Sequence, residues 1–197
     1  MLPFMDFFTP VDGGDIVLGD SITAIAQSFY PSHEYFRGME FFIRRAGNPG
    51  DILAVVKRMA VDPLNGNPVP EGEIIKVITI PFYKIPETEY GWVFADFDSC
   101  SMERMDTVNG VYFRYAVVIS CKGDSENYYL VRKSGGENYN LGSGFVKKRN
   151  EWTDIHEDMA FRVYFMDYPK VYAYSSYQDR ILGNQTTQER FGVDWDT

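Results

Sequence analysis

Apolar residues recur at every second position along several stretches of this chain, and this period constrains the fold more than any other feature. The longest run places Val111, Phe113, Tyr115, Val117 and Ile119 on one side of an extended segment. A period of two is typical of a β-strand with one face in a core. No stretch has the 3.6-residue period of a convincing amphipathic helix. The pattern predicts an all-β chain in which this strand runs through the middle of a sheet.

Residues 26–58 contain two extended apolar segments separated by a Gly-Asn-Pro-Gly breaker at 47–50. Before the breaker, Met39, Phe41 and Ile43 alternate with mostly polar residues. Glycine and proline supply the backbone dihedrals that a chain reversal needs. We therefore expect a β-hairpin at this position.

Several short motifs occur along the chain in an order that helps to identify the fold. They are Gln27-Ser28-Phe29, Pro31-Ser32, Arg-x-Gly-x-Pro-Gly at 45–50, Trp92-Val93 with Phe97, the Tyr-led strand 115–119, and the strand 158–164 preceded by Trp152. This order resembles jelly-roll modules of the carbohydrate-binding, galactose-binding-like kind. Such modules occur in surface proteins of prokaryotes and in structural proteins of their viruses. The resemblance covers about residues 26–164 and implies an antiparallel β-sandwich of jelly-roll type.

The chain divides by composition into three predicted parts. Residues 1–21 form an N-terminal arm, residues 22–168 the jelly-roll sandwich, and residues 169–197 a polar C-terminal extension with little periodicity. The arm carries Phe4, Phe7 and Phe8. These rings dock either on their own domain or on a neighbouring subunit, and the sequence leaves both options open.

The formal net charge is −9, and no basic stripe is visible. Nucleic-acid partners are therefore not expected, because their phosphates are neutralised by clustered lysine and arginine. No apolar run is long enough for a membrane span. Residues 1–10 lack the positive region of a secretory signal peptide. We expect a location in a virion, assembled in the cytoplasm and released by lysis, or at an extracellular surface.

The two cysteines, Cys100 and Cys121, are predicted to be free. If the strands at 92–97 and 111–121 are antiparallel neighbours, Cys100 lies near their connecting loop and Cys121 at the far end. A disulfide requires Cα atoms within about 7 Å. Another strand order would allow a bridge.

Catalytic motifs are not found in the chain. His33 and His156 are the only histidines, and neither lies in a zinc-binding or nucleophile motif. With 28 Asp plus Glu residues, some carboxylate pair always looks suitable for sugar hydrolysis, so such a pair carries no weight. We expect a protein that is not an enzyme, and a hydrolase is the weakest of three hypotheses.

Residues 127–152 have the side-chain types that bind sugars. Aromatic rings stack on the apolar faces of sugars, and polar side chains bond their hydroxyls. The candidate glycan-binding residues are Asn127, Tyr129, Arg132, Tyr139 and Trp152. The alternative is that these rings pack at the edge of the sandwich, and Trp152 resembles the packing residue of the family.

A structural calcium is the one cofactor that the loops could hold, and none is required. Calcium prefers oxygen ligands from Asp, Asn and backbone carbonyls in loops. The candidate ligands are Asp12 with Asp15, or Asp96 with Asp98. Ordinary turn chemistry is the alternative, since Asp and Gly are common in turns.

Our first hypothesis for function is a non-enzymatic structural and binding module of a virion or cell-surface assembly, such as a capsid accessory, fibre or tail protein. Its partners would be other copies or other subunits, held through an edge strand or an aromatic arm. The alternative is a carbohydrate-binding module excised from a larger secreted enzyme or adhesin.

Overall fold

The computed structural model describes residues 3–103, 112–166, 172–174 and 192–194. The regular secondary structure in these ranges is β-strands and one short 3-10 helix, Phe82–Lys84. The strands are β1 Phe4–Phe8, β2 Asp15–Leu18, β3 Ile22–Phe29, β4 Tyr35–Ala46, β5 Ile52–Arg58, β6 Ala60–Val61, β7 Pro68–Val69, β8 Ile74–Ile80, β9 Gly91–Ser101, β10 Tyr115–Ser120, β11 Tyr128–Arg132, β12 Gly144–Lys148, β13 Glu151–Asp154, β14 Phe161–Met166, β15 Tyr172–Tyr174 and β16 Gly192–Asp194.

Twelve strands form two layers that are joined where β2 meets β3. In the first layer, β4 pairs with β9 on one side and with β14 and β11 on the other, and β1 and β2 lie beyond them. The second layer has the order β8, β5, β10, β3, β12, β13. These pairings are antiparallel, and one parallel bridge, Leu18 to Ile22, connects the layers. The predicted all-β antiparallel sandwich is confirmed.

One large core fills the space between the two layers. Strand β4 contributes Met39, Phe41 and Ile43, which are nearly inaccessible, and β10 contributes Tyr115 and Val117 from the opposite layer. Alternate residues of each strand point inward, as the period-two pattern requires. The predicted central position of the strand ending at Ile119 is also confirmed, since β10 lies between β3 and β5.

The outer face of the second layer carries a smaller apolar cluster. Its buried members are Ala24, Ala26, Val55, Ala116, Val118 and Phe145, and Met59 and Trp152 pack against them. Beside it, β6 and β7 form a small two-stranded sheet. The side chain of Lys147 in β12 pairs with Glu71, just after β7, at 2.9 Å. The β6–β7 hairpin is thus tied to the β12–β13 hairpin.

The outer face of the first layer is stabilised by arginines stacked on aromatic rings. The Arg162 guanidinium lies 3.9 Å from the centroid of the Trp92 ring, and Arg132 lies 4.5 Å from that of Tyr90. Arg162 also pairs with Glu40 at 3.3 Å. A guanidinium over a ring face is attracted to the ring and covers part of its apolar surface.

The predicted hairpin at residues 47–50 is wrong. The chain does reverse there, but β4 pairs with β9, β11 and β14, whereas β5 pairs with β8 and β10. The turn is bonded to the β10–β11 connection instead: Gly50 N donates to Lys122 O at 3.0 Å and Asn48 N to Asn127 Oδ1 at 2.9 Å. Glycine and proline specify a reversal, but they do not specify which strand becomes the neighbour.

The segment predicted as an N-terminal arm supplies two strands of the first layer. Strand β1 pairs with β14, and β2 pairs with β11. Thr9 is buried, its hydroxyl donates to Met159 O at 2.7 Å, and it accepts from Phe161 N at 2.8 Å. Of the predicted arm aromatics, Phe7 packs against the core of its own chain.

The chain separates into two compact units, Met1–Met166 and Asp167–Thr197. In the second unit, β15 and β16 pair antiparallel. Most of the predicted C-terminal extension lies outside the described residues. In the part of the chain that the structure describes, no helix has the length and apolarity to cross a membrane.

Both cysteines are free, as predicted. The strand pairing assumed for that prediction does not occur, because β9 lies in the first layer and β10 in the second. Burial raises the pKa of each thiol to about 11. Thiols with raised pKa values are poor nucleophiles near neutral pH.

Candidate ligand-binding site

A cleft of about 750 Å³ opens where the β3–β4 and β11–β12 loops meet β1. We call it the Tyr139 cleft. Its lining combines aromatic rings with short polar side chains: Asp6, Phe7, Tyr30, Pro31, Ser32, Tyr112, Tyr139, Asn140 and Leu141. Tyr112 is 63% exposed and Leu141 50% exposed, so apolar surface remains open to a ligand. A cleft of this size and composition is typical of small-molecule sites.

Tyr139 is fixed in the wall of this cleft. Its ring lies 4.5 Å from that of Phe7 and 5.6 Å, edge to face, from that of Phe161. The Tyr139 hydroxyl accepts a hydrogen bond from Tyr30 N at 3.3 Å. Burial raises the pKa of this phenol to about 12. The hydroxyl is therefore protonated at neutral pH, and the ring is held before any ligand arrives.

A buried carboxylate holds the loop that carries Tyr139. Asp158 is fully buried and accepts from Tyr139 N at 2.6 Å and from Gln27 Nε2 at 2.9 Å. Gln27 Oε1 in turn accepts from Met159 N at 2.8 Å. Desolvation raises the pKa of Asp158, while the hydrogen bonds from Tyr139 N and Gln27 oppose that shift. This network ties the cleft wall to β3.

Gly142 lets the β11–β12 loop pass close to β3. A Cβ atom there would overlap the Ser28 carbonyl oxygen and would lie 2.7 Å from the Tyr139 ring. Ser28 N meanwhile donates to Ser143 O at 3.0 Å. A larger residue would therefore separate the loop from β3 and move Tyr139.

The five residues predicted to bind glycan do not share one site. Tyr139 lines the cleft, and Trp152 lines a different cavity. Tyr129 has no exposed surface, and its hydroxyl donates to Gly50 O at 2.9 Å. Burial raises the pKa of Tyr129. It is a core residue.

The other two predicted residues have partners within the protein. Asn127 donates to Asp124 Oδ1 at 3.0 Å and accepts from Asn48 N, so it organises a turn. Arg132 lies over the ring of Tyr90 and pairs with Asp15 at 3.1 Å. Neither residue lines the Tyr139 cleft.

Sequence analysis missed most of the cleft. Asp6 and Phe7 come from the segment interpreted as an arm, and Tyr30 and Ser32 come from the loop after β3. Pro31-Ser32 is part of the fold resemblance, and Tyr30 is not. An aromatic residue followed by proline at the end of a strand is the pattern that could have indicated an exposed ring.

The predicted calcium ligands make contacts of their own. The Arg37 guanidinium pairs with Asp96 at 2.5 Å and with Asp98 at 3.0 Å, so it offsets one of the two negative charges of that acidic pair. Asp12 accepts from Gly135 N at 2.7 Å, and Asp15 pairs with Arg132. The described residues contain no group of three or more His, Cys, Asp or Glu side chains arranged for a metal. Calcium binding stays a prediction.

Ser32 and His33 are in contact beside the cleft. Ser32 Oγ lies 2.8 Å from His33 Nδ1. Consecutive residues in an exposed loop reach this distance through local geometry alone, whereas a catalytic serine also needs an oriented base and donors for the developing oxyanion. The contact by itself therefore indicates no hydrolase.

No protein-family model matches the chain, and no curated protein matches it. Among solved structures, the chain is similar to part of one that contains the cysteine protease and lectin-like domains of Cwp84, a surface layer associated protein of Clostridium difficile. The identity is 12% and the TM-score 0.47, and the similarity covers 82% of this chain and 36% of that chain. Function has to be argued from the side chains of this protein.

Proposed function

We propose that this protein is a non-enzymatic carbohydrate-binding module and that the Tyr139 cleft holds the sugar. The observation that carries the proposal is the composition of the cleft, where Tyr30, Tyr112 and Tyr139 supply rings beside the polar side chains of Asp6 and Asn140. A sugar presents apolar C–H faces and hydroxyl edges, so it matches a site of rings with a polar rim.

The preformed wall supports binding further. Tyr139 is held by Tyr30 and Asp158 in the free protein. A wall that is already ordered loses little conformational entropy when a ligand binds. Tyr139 is 6% exposed and supports the wall, while the 63% exposed ring of Tyr112 offers the face on which a ligand can stack.

The charge of the cleft favours neutral sugars. Among the nine described residues that line it, Asp6 is the only charged one. The whole chain has a formal net charge of −9. Uronic and sialic acids would meet a like charge at the rim, whereas hydroxyls of a neutral sugar can donate to the Asp6 carboxylate.

A glycan array of neutral and acidic sugars followed by calorimetric titration of the best ligand tests this proposal. Tyr112→Ala is the key variant, because its ring is exposed and its loss should leave the core intact. We expect its Kd to rise at least tenfold, which corresponds to about 1.4 kcal/mol. Tyr83→Ala, which removes a 70% exposed ring outside the cleft, should bind as the unchanged protein does.

Two outcomes would overturn the proposal. One is that no sugar on the array binds. The other is that a sugar binds equally well to Tyr112→Ala and to a second cleft variant, Tyr30→Ala.

A subunit of a virion or cell-surface assembly is the second candidate function. It is favoured by strand β1, where Met5 is 47% exposed and Phe8 60% exposed beside the pairing with β14. Apolar side chains on a strand at the edge of a sheet are a common means of self-association. Light scattering on the calorimetry samples separates the two candidates: self-association without sugar binding would favour assembly.

A further inference from the structure

A second cavity, of about 370 Å³, lies between the β6–β7 hairpin and the β12–β13 hairpin. We call it the Trp152 cavity. It is lined by Asn65, Asn67, Pro68, Val69, Phe145, Trp152, Thr153, Asp154 and His156. It shares no lining residue with the Tyr139 cleft. Its size is at the lower end for ligand pockets, which suits a single sugar ring.

Trp152 forms an aromatic wall that is already positioned. The ring packs against the cluster on the outer face of the second layer, which includes the buried Phe145. The Lys147 ammonium lies 5.5 Å from the ring centroid and pairs with Glu71. The indole is therefore supported by the fold while it still borders the cavity.

Polar groups surround this wall, and several of them are oriented by the backbone. Asp154 Oδ1 accepts from His156 N at 2.8 Å and from the Ser143 hydroxyl. Asn65 Oδ1 accepts from Asn67 N at 2.9 Å. A carboxylate and two amides beside an indole have the donors and acceptors that sugar hydroxyls require.

The aromatic walls of the two sites belong to different apolar clusters. Tyr139 belongs to the core between the layers, whereas Trp152 packs on the outer face of the second layer. A ligand in one site therefore does not touch the aromatic wall of the other.

We infer that the Trp152 cavity is a second, independent sugar site that accepts one neutral monosaccharide unit. The inference goes beyond the proposed function of the Tyr139 cleft and does not depend on it. If both sites are occupied, the protein is bivalent, and its avidity for a surface bearing many glycans exceeds the affinity of either site.

Indole resonances in ¹H–¹⁵N NMR spectra test this inference directly. The chain has three tryptophans, Trp92, Trp152 and Trp195, and single Trp→Phe variants assign their indole N–H signals. The probes are glucose, galactose, mannose and N-acetylglucosamine, with glucuronic acid as the anionic comparison. We expect at least one neutral probe to shift the Trp152 signal saturably while the Trp92 signal stays in place.

Three variants test whether the shift of the Trp152 signal comes from binding in the Trp152 cavity. Thr153→Tyr places a ring in the cavity at an exposed strand position and should weaken the response of the Trp152 signal at least tenfold. Glu151→Tyr adds the same ring on the same strand outside the cavity and should leave the response unchanged. Tyr112→Ala disables the Tyr139 cleft and should also leave it unchanged.

The inference is overturned if no probe shifts the Trp152 signal, if the shift survives Thr153→Tyr, or if Tyr112→Ala abolishes it. The last result would mean that the protein has one site, at the cleft. A shift of the Trp152 signal in a protein whose cleft binds nothing would refute the proposed function and support this inference, so the two can fail separately.

Discussion

The Tyr139 cleft and the Trp152 cavity both contain a supported aromatic ring, but the supports differ in kind. Tyr139 is held by a fully buried carboxylate that bonds backbone and side-chain donors. Trp152 lies beside the Lys147–Glu71 pair, in which the Glu71 side chain is 49% exposed. Buried hydrogen bonds to a charge are costly to break, whereas exposed ion pairs contribute little. The cleft should therefore be the more rigid of the two sites.

The largest expected effect comes from the carboxylates that support each site. Asp158→Ala leaves the buried Tyr139 N without this acceptor and removes one of the two acceptors of Gln27 Nε2, so we expect a loss of about 3 kcal/mol in the free energy of unfolding. Asp154→Ala removes a partly exposed acceptor and should cost about 1 kcal/mol. Urea denaturation of both variants measures the difference. Equal losses would contradict the contrast between the two sites.

An intermediate effect should appear in the pH dependence of stability. Because burial raises the pKa of Asp158 in the folded state, the fold favours its protonated form. This contribution to stability is present below the unfolded pKa, near 4, and is lost as pH rises through the folded pKa. The Asp158→Asn variant has no carboxyl group at this position, so it lacks this pH-dependent contribution to stability.

The measurement is the free energy of unfolding of the wild type minus that of Asp158→Asn, determined at a series of pH values. We expect this difference to fall as pH rises through the acid range and then to level off. A difference that rises with pH would show that hydrogen bonding, and not desolvation, dominates the pKa of Asp158.

The smallest effect is expected at the hairpin contact beside the Trp152 cavity. Glu71→Gln removes an exposed ion pair and should lower the free energy of unfolding by no more than about 0.5 kcal/mol. The difference between this variant and the wild type should shrink in about 1 M salt, where the Debye length is about 3 Å. A loss above about 2 kcal/mol that salt does not change would show that the pair is a rigid support like Asp158.

Sequence patterns predicted the positions of strands more accurately than they predicted which strands pair with one another. The alternation at 111–119 identified the central strand, which is β10. The breaker at 47–50 was assigned to a hairpin because local turn chemistry is the same for a hairpin and for a crossing between layers. Only the partners of β4 and β5 distinguish the two cases.

The candidate site was predictable in residue type but not in arrangement. Tyr139 and Trp152 were both selected as aromatic ligand contacts, yet they line different cavities. Tyr129 was selected with them and is a core residue. Residues 128–131 read Tyr-Tyr-Leu-Val, so no alternation shows which tyrosine points inward.

The sequence by itself determined that this protein is an all-β sandwich with a net negative charge, because period, composition and charge are local properties of the chain. Only the tertiary structure determines which aromatic side chains line the same cleft. Asp6, Tyr30, Tyr112 and Asn140 come from four separate segments, and they form one cleft because strand pairing brings those segments together. Long-range pairing depends on the burial of whole faces, which no short motif encodes.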